Sequence, residues 1–244
     1  MKKIHKFLYF GTVVSFLIPI IYLVIRMIFG ESTGLGSDAG YHSDADYLLM
    51  LFQCILGLVT IHIPSLLEKN LRFEIPGMLY GFYIVFLYGS IFLGEVRSFY
   101  YLVPHWDSIM HFLSSVMTGF FGLMVVTILN RDERVAIRLS PIFVVLFAFS
   151  FSVMIGAVWE VLEYVIDGVL GVNMQKFITA DGTVLVGRAA LSDTMKDIII
   201  DILGAFLASI IGYFSIRRNL RWYIPVLKHG ESENKMKPSD NAEV

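Results

Sequence analysis

The sequence predicts an all-α integral membrane protein of about six transmembrane helices. Three observations predict it: long apolar runs, a low content of charged residues, and basic residues that occur in every second loop. Of the 244 residues, 56% are hydrophobic and 16% are charged, whereas roughly a quarter of the residues in soluble domains are charged. The mean hydropathy is +0.69. These values exclude a water-soluble globular domain.

The apolar runs determine the number of helices and their bounds. They lie at residues 7–29, 47–67, 75–94, 106–129, 141–166 and 195–216. Each is close to the roughly 17–25 residues that a helix needs to cross a bilayer. The runs are continuously apolar and do not alternate, which favours helices over strands of a membrane barrel. We therefore expect residues 1–229 to form a single polytopic membrane domain.

The distribution of lysine and arginine predicts the orientation. These residues are concentrated at the N-terminus, in the loops around Lys69 and Arg134, and in the C-terminal region. The positive-inside rule places such segments in the cytoplasm, so both termini are predicted to be cytoplasmic. The loops at 31–46, 95–105 and 167–192 then face outward.

Two segments outside the apolar runs have signatures of their own. Residues 177–186 have β-rich flanks around Asp181-Gly182, which predicts a small outer β-hairpin between helices five and six. Residues 230–244 are polar, which predicts a disordered cytoplasmic tail. Cys54 is the only cysteine, so an intramolecular disulfide is excluded. The net charge of -2 gives no indication of nucleic-acid binding.

Polar residues recur at the ends of three consecutive helices. Six of them form pairs at spacings of three or four residues, which places each pair on one helical face: Asp107 and His111 in helix four, Glu160 and Glu163 in helix five, and Asp197 and Asp201 in helix six. Helices four and six enter the membrane on the side where helix five leaves it. Because consecutive helices tend to be neighbours, we expect the three pairs to converge in one outward-facing pocket.

Several carboxylates in a bundle of low dielectric constant repel one another unless a cation, shared protons or basic side chains compensate them. Arg26, Arg97 and Lys196 are on the predicted outer side and could pair with them. A divalent metal such as Zn, Mn or Mg is the other possibility, since carboxylates and imidazole are suitable ligands. Its predicted ligands are Asp107, His111, Glu160, Glu163, Asp197 and Asp201. Helix capping explains Asp107 equally well when it is taken alone.

A function hypothesis follows from this constellation. A membrane enzyme with a divalent metal could hydrolyse a lipid or lipid-linked substrate, with Glu160 as general base for the attacking water. The alternatives are a cation- or proton-coupled transporter and a non-catalytic membrane scaffold, because intramembrane carboxylates also serve ion passage and helix packing. The expected partners are the lipid bilayer and a lipid or small-molecule substrate.

Three motifs in the second half of the chain carry a resemblance to a known family. They are Asp107-x-x-x-His111-Phe112, Trp159-Glu160-x-x-Glu163, and Asp193-Thr194-x-x-Asp197 followed by Gly204-Ala205. Over residues 100–213 the chain resembles the YjdF-like family of bacterial multi-pass inner-membrane proteins. The resemblance implies a bacterial plasma membrane location, and it implies no mechanism because that family is functionally uncharacterised.

Overall fold

Helices account for most of the computed structural model, which describes residues 3–29, 44–71, 73–131, 139–179, 181–220, 222 and 226–227. Six helical stretches are long and apolar enough to cross a membrane. They are Ile4–Phe29, Asp44–Asn70, Gly77–Val96, Trp106–Leu129, Pro141–Leu170 and Arg188–Arg217. The predicted number of spans is therefore confirmed. The loop at 31–43, the loop around Arg134 and the tail at 230–244 lie outside the described residues.

The first three spans are built from irregular helices. The elements are α1 (Lys3–Phe29), α2 (Asp44–Thr60), α3 (Ile63–Leu71) and α4 (Gly77–Leu87), which continues as a π-helix over Tyr88–Val96. The second span breaks at Ile61 and His62, directly before Pro64 in the first turn of α3. Proline in a first turn costs no hydrogen bond, because the N–H that it lacks would have no acceptor within the helix there.

The last three spans are longer and more regular. After the short α5 (Phe99–Leu102) come α6 (Trp106–Arg131), α7 (Pro141–Leu170) and α8 (Arg188–Arg217). The start of α7 follows from its sequence, because Ser140 Oγ accepts the Phe143 N–H at 3.3 Å and Pro141 occupies the first turn. Its end follows from Gly171, which adopts the left-handed conformation with φ 65°.

Small residues bring α6, α7 and α8 into close contact. A Cβ added to Gly119 of α6 would lie 2.6 Å from Ala208 Cβ of α8, and one added to Gly122 would lie 3.1 Å from Ala148 Cα of α7. Helices in lipid gain little from hydrophobic burial against each other, so close backbone approach supplies much of their association. A three-helix unit results, and its outer surface carries large apolar side chains that suit a bilayer.

The first three spans form a second unit. Its buried core consists of Phe16, Cys54, Ile61, Leu87 and Ile91. The two units meet where α4 and its π-helical continuation contact α6. A two-residue strand pair, β1 (Phe73–Glu74) with β2 (Val226–Leu227), joins the segments that follow α3 and α8. The ends of α3 and α8 therefore lie at the same end of the bundle.

Several predicted boundaries differ from the structure by a few residues, and the two that bear on the site lie in spans five and six. The last span begins at Arg188 and not at residue 195, and α7 extends to Leu170 beyond the predicted residue 166. Both extensions lie in the segment predicted as an outer loop. The apolar run does not predict the extension of α8, because polar residues separate the run from Ala189, Ala190 and Leu191, which are also helical. As a consequence, Asp201 lies about 20 Å along α8 from its first residue.

The predicted β-hairpin between spans five and six is not formed as two strands. Among the described residues there, one isolated antiparallel bridge joins Ile178 and Val184. The Asn173 side chain accepts the Ile178 N–H at 2.9 Å and donates to its carbonyl at 2.7 Å. The hydroxyl of Thr179 donates to the Asp181 carboxylate and tightens the turn. Asp181-Gly182 does mark a turn, which the backbone bonds from Thr179 N–H to the Thr183 carbonyl (3.0 Å) and from Leu185 N–H to the Phe177 carbonyl (2.8 Å) also close, but the pairing does not extend into two strands.

The close helix packing makes a testable prediction. Gly119→Ala should lower the melting temperature, because the added methyl group meets Ala208 and overpacking typically costs about 1–3 kcal/mol. Gly11→Ala in α1 is the matched control, since no atom lies within 4 Å of the added Cβ. Thermal unfolding in detergent measures both. Equal melting temperatures for the two variants would contradict the packing described for α6 and α8.

Candidate functional site

One face of α6 supplies the centre of the site. Asp107, His111 and Ser115 follow one another at intervals of four residues and therefore share that face. His111 is 7% exposed, while the side chain of Asp107 retains about a third of its exposure. The imidazole thus lies inside the bundle, and Asp107 lies at its rim.

The neighbouring helices place carboxylates around this imidazole. Glu160 of α7 is 5% exposed, and Asp197 and Asp201 of α8 are 6% and 2% exposed. His111 Nε2 lies 3.8 Å from Asp107 Oδ1 and 3.6 Å from Glu160 Oε1. Its other nitrogen, Nδ1, lies 3.4 Å from Asp201 Oδ2. We refer to Asp107, His111, Glu160, Asp197 and Asp201 together as the His111 cluster.

Part of this cluster has the geometry of a metal site. One ligand atom from each of Asp107, His111 and Asp197 lies within 4.8 Å of the other two. Carboxylate oxygens and an imidazole nitrogen at this separation can converge on a single divalent ion after small rotations of the side chains. These three residues could therefore hold a metal ion.

Glu160 has an unsatisfied oxygen in the same place. Its Oε1 is buried and has no hydrogen-bond partner among the described residues. His111 Nε2, at 3.6 Å, is just beyond hydrogen-bond distance. A buried carboxylate oxygen without a partner is costly. The residues present therefore fit a site that receives a positively charged or proton-donating group.

Basic side chains do not compensate the cluster within the described residues. The predicted partner Arg26 lies over the ring of Tyr47, with its guanidinium carbon 4.2 Å from the ring centroid. Arg97 and Lys196 are exposed, and the ion pairs made by the cluster carboxylates in the described part of the chain all involve His111. The predicted basic pairing is not observed there.

Glu163 stands apart from the other predicted ligands. It lies one turn from Glu160 on α7, but its Oε1 accepts a hydrogen bond from Trp159 Nε1 at 2.7 Å. This bond occupies one oxygen of the Glu163 carboxylate, and Trp159 itself is 39% exposed. The structure therefore brings five of the six predicted residues together, as four carboxylates around His111, and places Glu163 beside them.

Two supporting residues were not recognised from the sequence. Ser115 Oγ donates a hydrogen bond to Asp201 Oδ1 at 2.9 Å. A Cβ added to Gly156 would lie 2.1 Å from Asp201 Oδ2, so only glycine leaves room for that carboxylate. The available signal was positional, because Ser115 lies four residues after His111 and Gly156 lies four residues before Glu160.

A buried ion pair near the same end of the bundle was also missed. Lys176 Nζ lies 3.0 Å from Glu95 Oε2, and the two side chains are 12% and 2% exposed. The ammonium group also lies 5.1 Å and 5.0 Å from the ring centroids of Tyr100 and Tyr101. Burial, the largest single influence, would lower the pKa of Lys176, but the charges of Glu95, Tyr101 and Asp107 and the hydrogen bond to Glu95 together outweigh it, and the pKa is raised above its ordinary value. The ammonium group therefore stays charged throughout the neutral range.

The segment that carries Lys176 is fixed to the end of α7. Asp167, near the end of α7, is buried. Its carboxylate accepts the backbone N–H groups of Met174 and Gln175 at 2.6 Å and 2.9 Å. The chain after α7 is thereby folded back over the bundle, where Lys176 joins the three-helix unit to the π-helical end of the third span.

Comparisons with known proteins agree with this architecture. Residues 11–218 match the family described as predicted membrane protein (DUF2238), and the chain belongs to this family. An uncharacterised protein of Thermotoga maritima is 31% identical over 157 residues, which cover 62% of this chain and 69% of that protein. No solved structure matches the chain. The more specific YjdF-like resemblance is not confirmed by these matches, whereas membership of a family of multi-pass membrane proteins without assigned function is.

The Glu95–Lys176 pair gives a prediction about stability. Glu95→Gln should cost about 3–5 kcal/mol, because it leaves the buried ammonium group of Lys176 without a counter-charge. For a chain of this size the melting temperature should fall by on the order of 10 °C. The double variant Glu95→Gln/Lys176→Met removes both charges and should recover most of this loss. Additive losses in the double variant, measured by thermal unfolding in detergent, would show that the two residues are not coupled.

Proposed function

We propose that the chain is a metal-dependent membrane enzyme that hydrolyses a lipid or lipid-linked substrate at the His111 cluster. Asp107, His111 and Asp197 would bind a divalent cation such as Zn, Mn or Mg. Glu160 would act as general base. The observation that carries the proposal is the buried Glu160 Oε1, which has no partner among the described residues and lies beside these three ligands.

The charges of the cluster support a cation. Four carboxylates surround one imidazole, which can supply at most one positive charge. Burial of uncompensated carboxylates costs several kcal/mol each after relaxation, a penalty that shared protons or a bound cation must offset. A divalent ion among the carboxylates would remove most of it.

The chemistry follows from the positions of the side chains. A divalent ion, when bound, polarises a carbonyl or phosphoryl oxygen and lowers the pKa of water. Glu160 Oε1 is free to accept the proton of an attacking water, because no group of the described chain competes for it. Glu163 is the least supported of the predicted ligands, since Trp159 already binds its Oε1.

The surroundings of the site favour an amphipathic substrate. In the turns of α7 that flank Glu160, the side chains of Trp159, Val161 and Tyr164 are 39%, 61% and 69% exposed. In a bilayer these side chains contact lipid, so a molecule with an acyl or prenyl chain could reach the cluster between α7 and the surrounding lipid. The polar head of the molecule would then lie near Asp107, the most accessible member of the cluster.

A cation- or proton-coupled transporter is the second candidate. One specific observation favours it, namely that hydroxyl groups continue from Asp201 into the bundle. Ser115 donates to Asp201, Ser152 Oγ donates to the Ser115 carbonyl at 2.7 Å, and Thr118 Oγ1 lies 2.9 Å from Ser152 Oγ. The Ser115 carbonyl has no transferable proton, so these groups could line the path of a cation but do not form a continuous proton relay by themselves. We prefer the hydrolase, because its general base uses the unsatisfied oxygen of Glu160. A transporter does not require that oxygen.

The metal can be tested directly. Purified wild type should contain a divalent metal and lose thermal stability in chelator, since a ligand bound at 100 times its Kd stabilises by about 2.7 kcal/mol. Asp197→Asn, which removes a proposed ligand, should lower the metal content strongly, and Glu160→Gln, which removes only a neighbouring negative charge, should lower it less. Both should leave the metal-free melting temperature unchanged or higher, because each removes carboxylate repulsion. Elemental analysis and melting curves with and without chelator are the measurements.

The control for this test is Asp181→Asn, which makes the same chemical change in an exposed turn and should alter neither the metal content nor the stabilisation that metal confers. A wild type without metal that is indifferent to chelator and to added Zn, Mn or Mg would refute the enzyme. The transporter or a scaffold would then take its place.

We further propose a bacterial inner-membrane location with both termini in the cytoplasm, on the basis of the lysine and arginine distribution. In a Cys54→Ala background, a cysteine replacing Thr183 should react with an impermeant maleimide in intact cells. A cysteine replacing Asn219 should react only after permeabilisation. Both positions are exposed, and they lie beyond opposite ends of α8. The reverse labelling pattern would invert the orientation.

A further inference from the structure

The two ring nitrogens of His111 face different carboxylates. Nε2 lies 3.8 Å from Asp107 Oδ1 and 3.6 Å from Glu160 Oε1. Nδ1, on the opposite edge of the ring, lies 3.4 Å from Asp201 Oδ2. The imidazole therefore separates Asp201 from the carboxylates that border the proposed metal position.

The chain itself occupies both oxygens of Asp201. Oδ1 accepts the hydrogen bond from Ser115 Oγ at 2.9 Å, and Oδ2 faces His111. Oδ2 also lies in the notch that Gly156 leaves in α7, where an added Cβ would be 2.1 Å away. Asp201 is 2% exposed, so it is enclosed on the side away from the imidazole.

Asp197 has the opposite environment, although it lies only one turn earlier in α8. It accepts no hydrogen bond from the described residues, and one of its carboxylate oxygens lies within 4.8 Å of ligand atoms of Asp107 and His111. The two aspartates of α8 therefore differ in what they can do. Asp197 is available to a metal, whereas Asp201 is committed to neighbouring side chains.

We propose that Asp201 is a positioning residue for His111 and not a metal ligand. It accepts the Nδ1–H of the imidazole and so directs the Nε2 lone pair toward the ion held with Asp107 and Asp197. An ionised carboxylate can only accept, which fixes the tautomer of the ring. Carboxylates that hold ligating histidines in this way are common around metal ions. The inference rests on the proposed metal site and assigns Asp201 a different role from the one the sequence predicted.

Metal titration separates the two roles of the α8 aspartates. Full-length protein is purified in detergent, stripped with chelator and titrated with Zn2+ at constant pH in a calorimeter. Asp201→Asn should keep the wild-type stoichiometry and bind with an affinity about 10–100-fold lower, the usual effect of losing such a partner. Asp197→Asn, which removes a ligand, should lose saturable binding.

Gly156→Ala tests the same role without changing Asp201. The added methyl group displaces the Asp201 carboxylate, so the affinity for Zn2+ should fall as it does in Asp201→Asn. Gly168→Ala is the matched control, because it makes the same change in the same helix with no atom within 4 Å of the new Cβ. It should bind like wild type. Ser115→Ala removes the other contact of Asp201 and should give a smaller loss in the same direction.

A spectroscopic readout distinguishes positioning from general destabilisation. With Co2+ as the probe, Asp201→Asn should retain the d–d band intensity of wild type, which reports the number of ligands, with shifted maxima. Asp197→Asn should lose that spectrum. Size-exclusion chromatography of each variant identifies any that fails to fold, and Gly156→Ala with Ser115→Ala then carries the test.

The possible results lead to separate conclusions. A wild type that binds neither Zn2+ nor Co2+ contradicts the proposed function itself. A wild type that binds, together with an Asp201→Asn variant that loses the metal as Asp197→Asn does, makes Asp201 a ligand. Wild-type affinity in both Asp201→Asn and Gly156→Ala contradicts any role for Asp201 at the metal. Reduced affinity at unchanged stoichiometry supports the positioning role.

Discussion

Burial of four carboxylates around a single imidazole is the constraint on which the second half of this protein depends. In water such a group costs little, but inside a bundle surrounded by lipid each uncompensated charge costs several kcal/mol. Evolution could remove these residues or neutralise them with basic side chains. The described residues place no lysine or arginine in ion-pair contact with the cluster, and Glu160 Oε1 has no partner there. The arrangement therefore requires shared protons or a cation to offset the burial of its carboxylates.

The packing of α6, α7 and α8 serves this constraint. Gly119 and Gly122 let the three backbones approach closely, which is how helices associate in lipid. Gly156 also makes room for a polar group, because the Asp201 carboxylate of the neighbouring helix fills the space that a side chain at this position would take. Ser115 combines both functions, since its small size suits close contact with Gly204 and its hydroxyl binds Asp201. The same small residues that hold the bundle together therefore shape its polar interior.

The spans were predictable because lipid imposes the same requirement on every one of them, a continuous apolar run long enough to cross. Convergence of Asp107, Glu160 and Asp197 was expected from antiparallel neighbours with polar faces at one end. The supporting residues Gly156 and Ser115 were not, since small residues occur throughout membrane helices and nothing local marks these two.

Features that depend on contacts between distant segments could not be predicted from the sequence either. Glu95 and Lys176 are far apart in the chain, and each was assigned to an outward loop, where a charged residue needs no partner. The hairpin prediction was wrong for a related reason. Asp181-Gly182 specifies a turn, but the side chain of Asn173 fixes the adjoining backbone, and turn signals do not contain that information.

Backbone strain is concentrated at the end of the bundle where α6 and α8 begin. Four non-glycine residues in the described part of the chain have positive φ, and three of them are at this end: Ser98 at 58°, His105 at 62° and Lys176 at 55°. Such conformations cost on the order of 1–3 kcal/mol each and persist where the surrounding structure enforces them, most often at functional sites. His105 immediately precedes α6 and thereby fixes the position of Asp107 in the first turn of that helix. Lys176 is held by Glu95 and two tyrosine rings. The strained segments and the buried ion pair thus fix the rim around the His111 cluster, as preorganisation of a site requires.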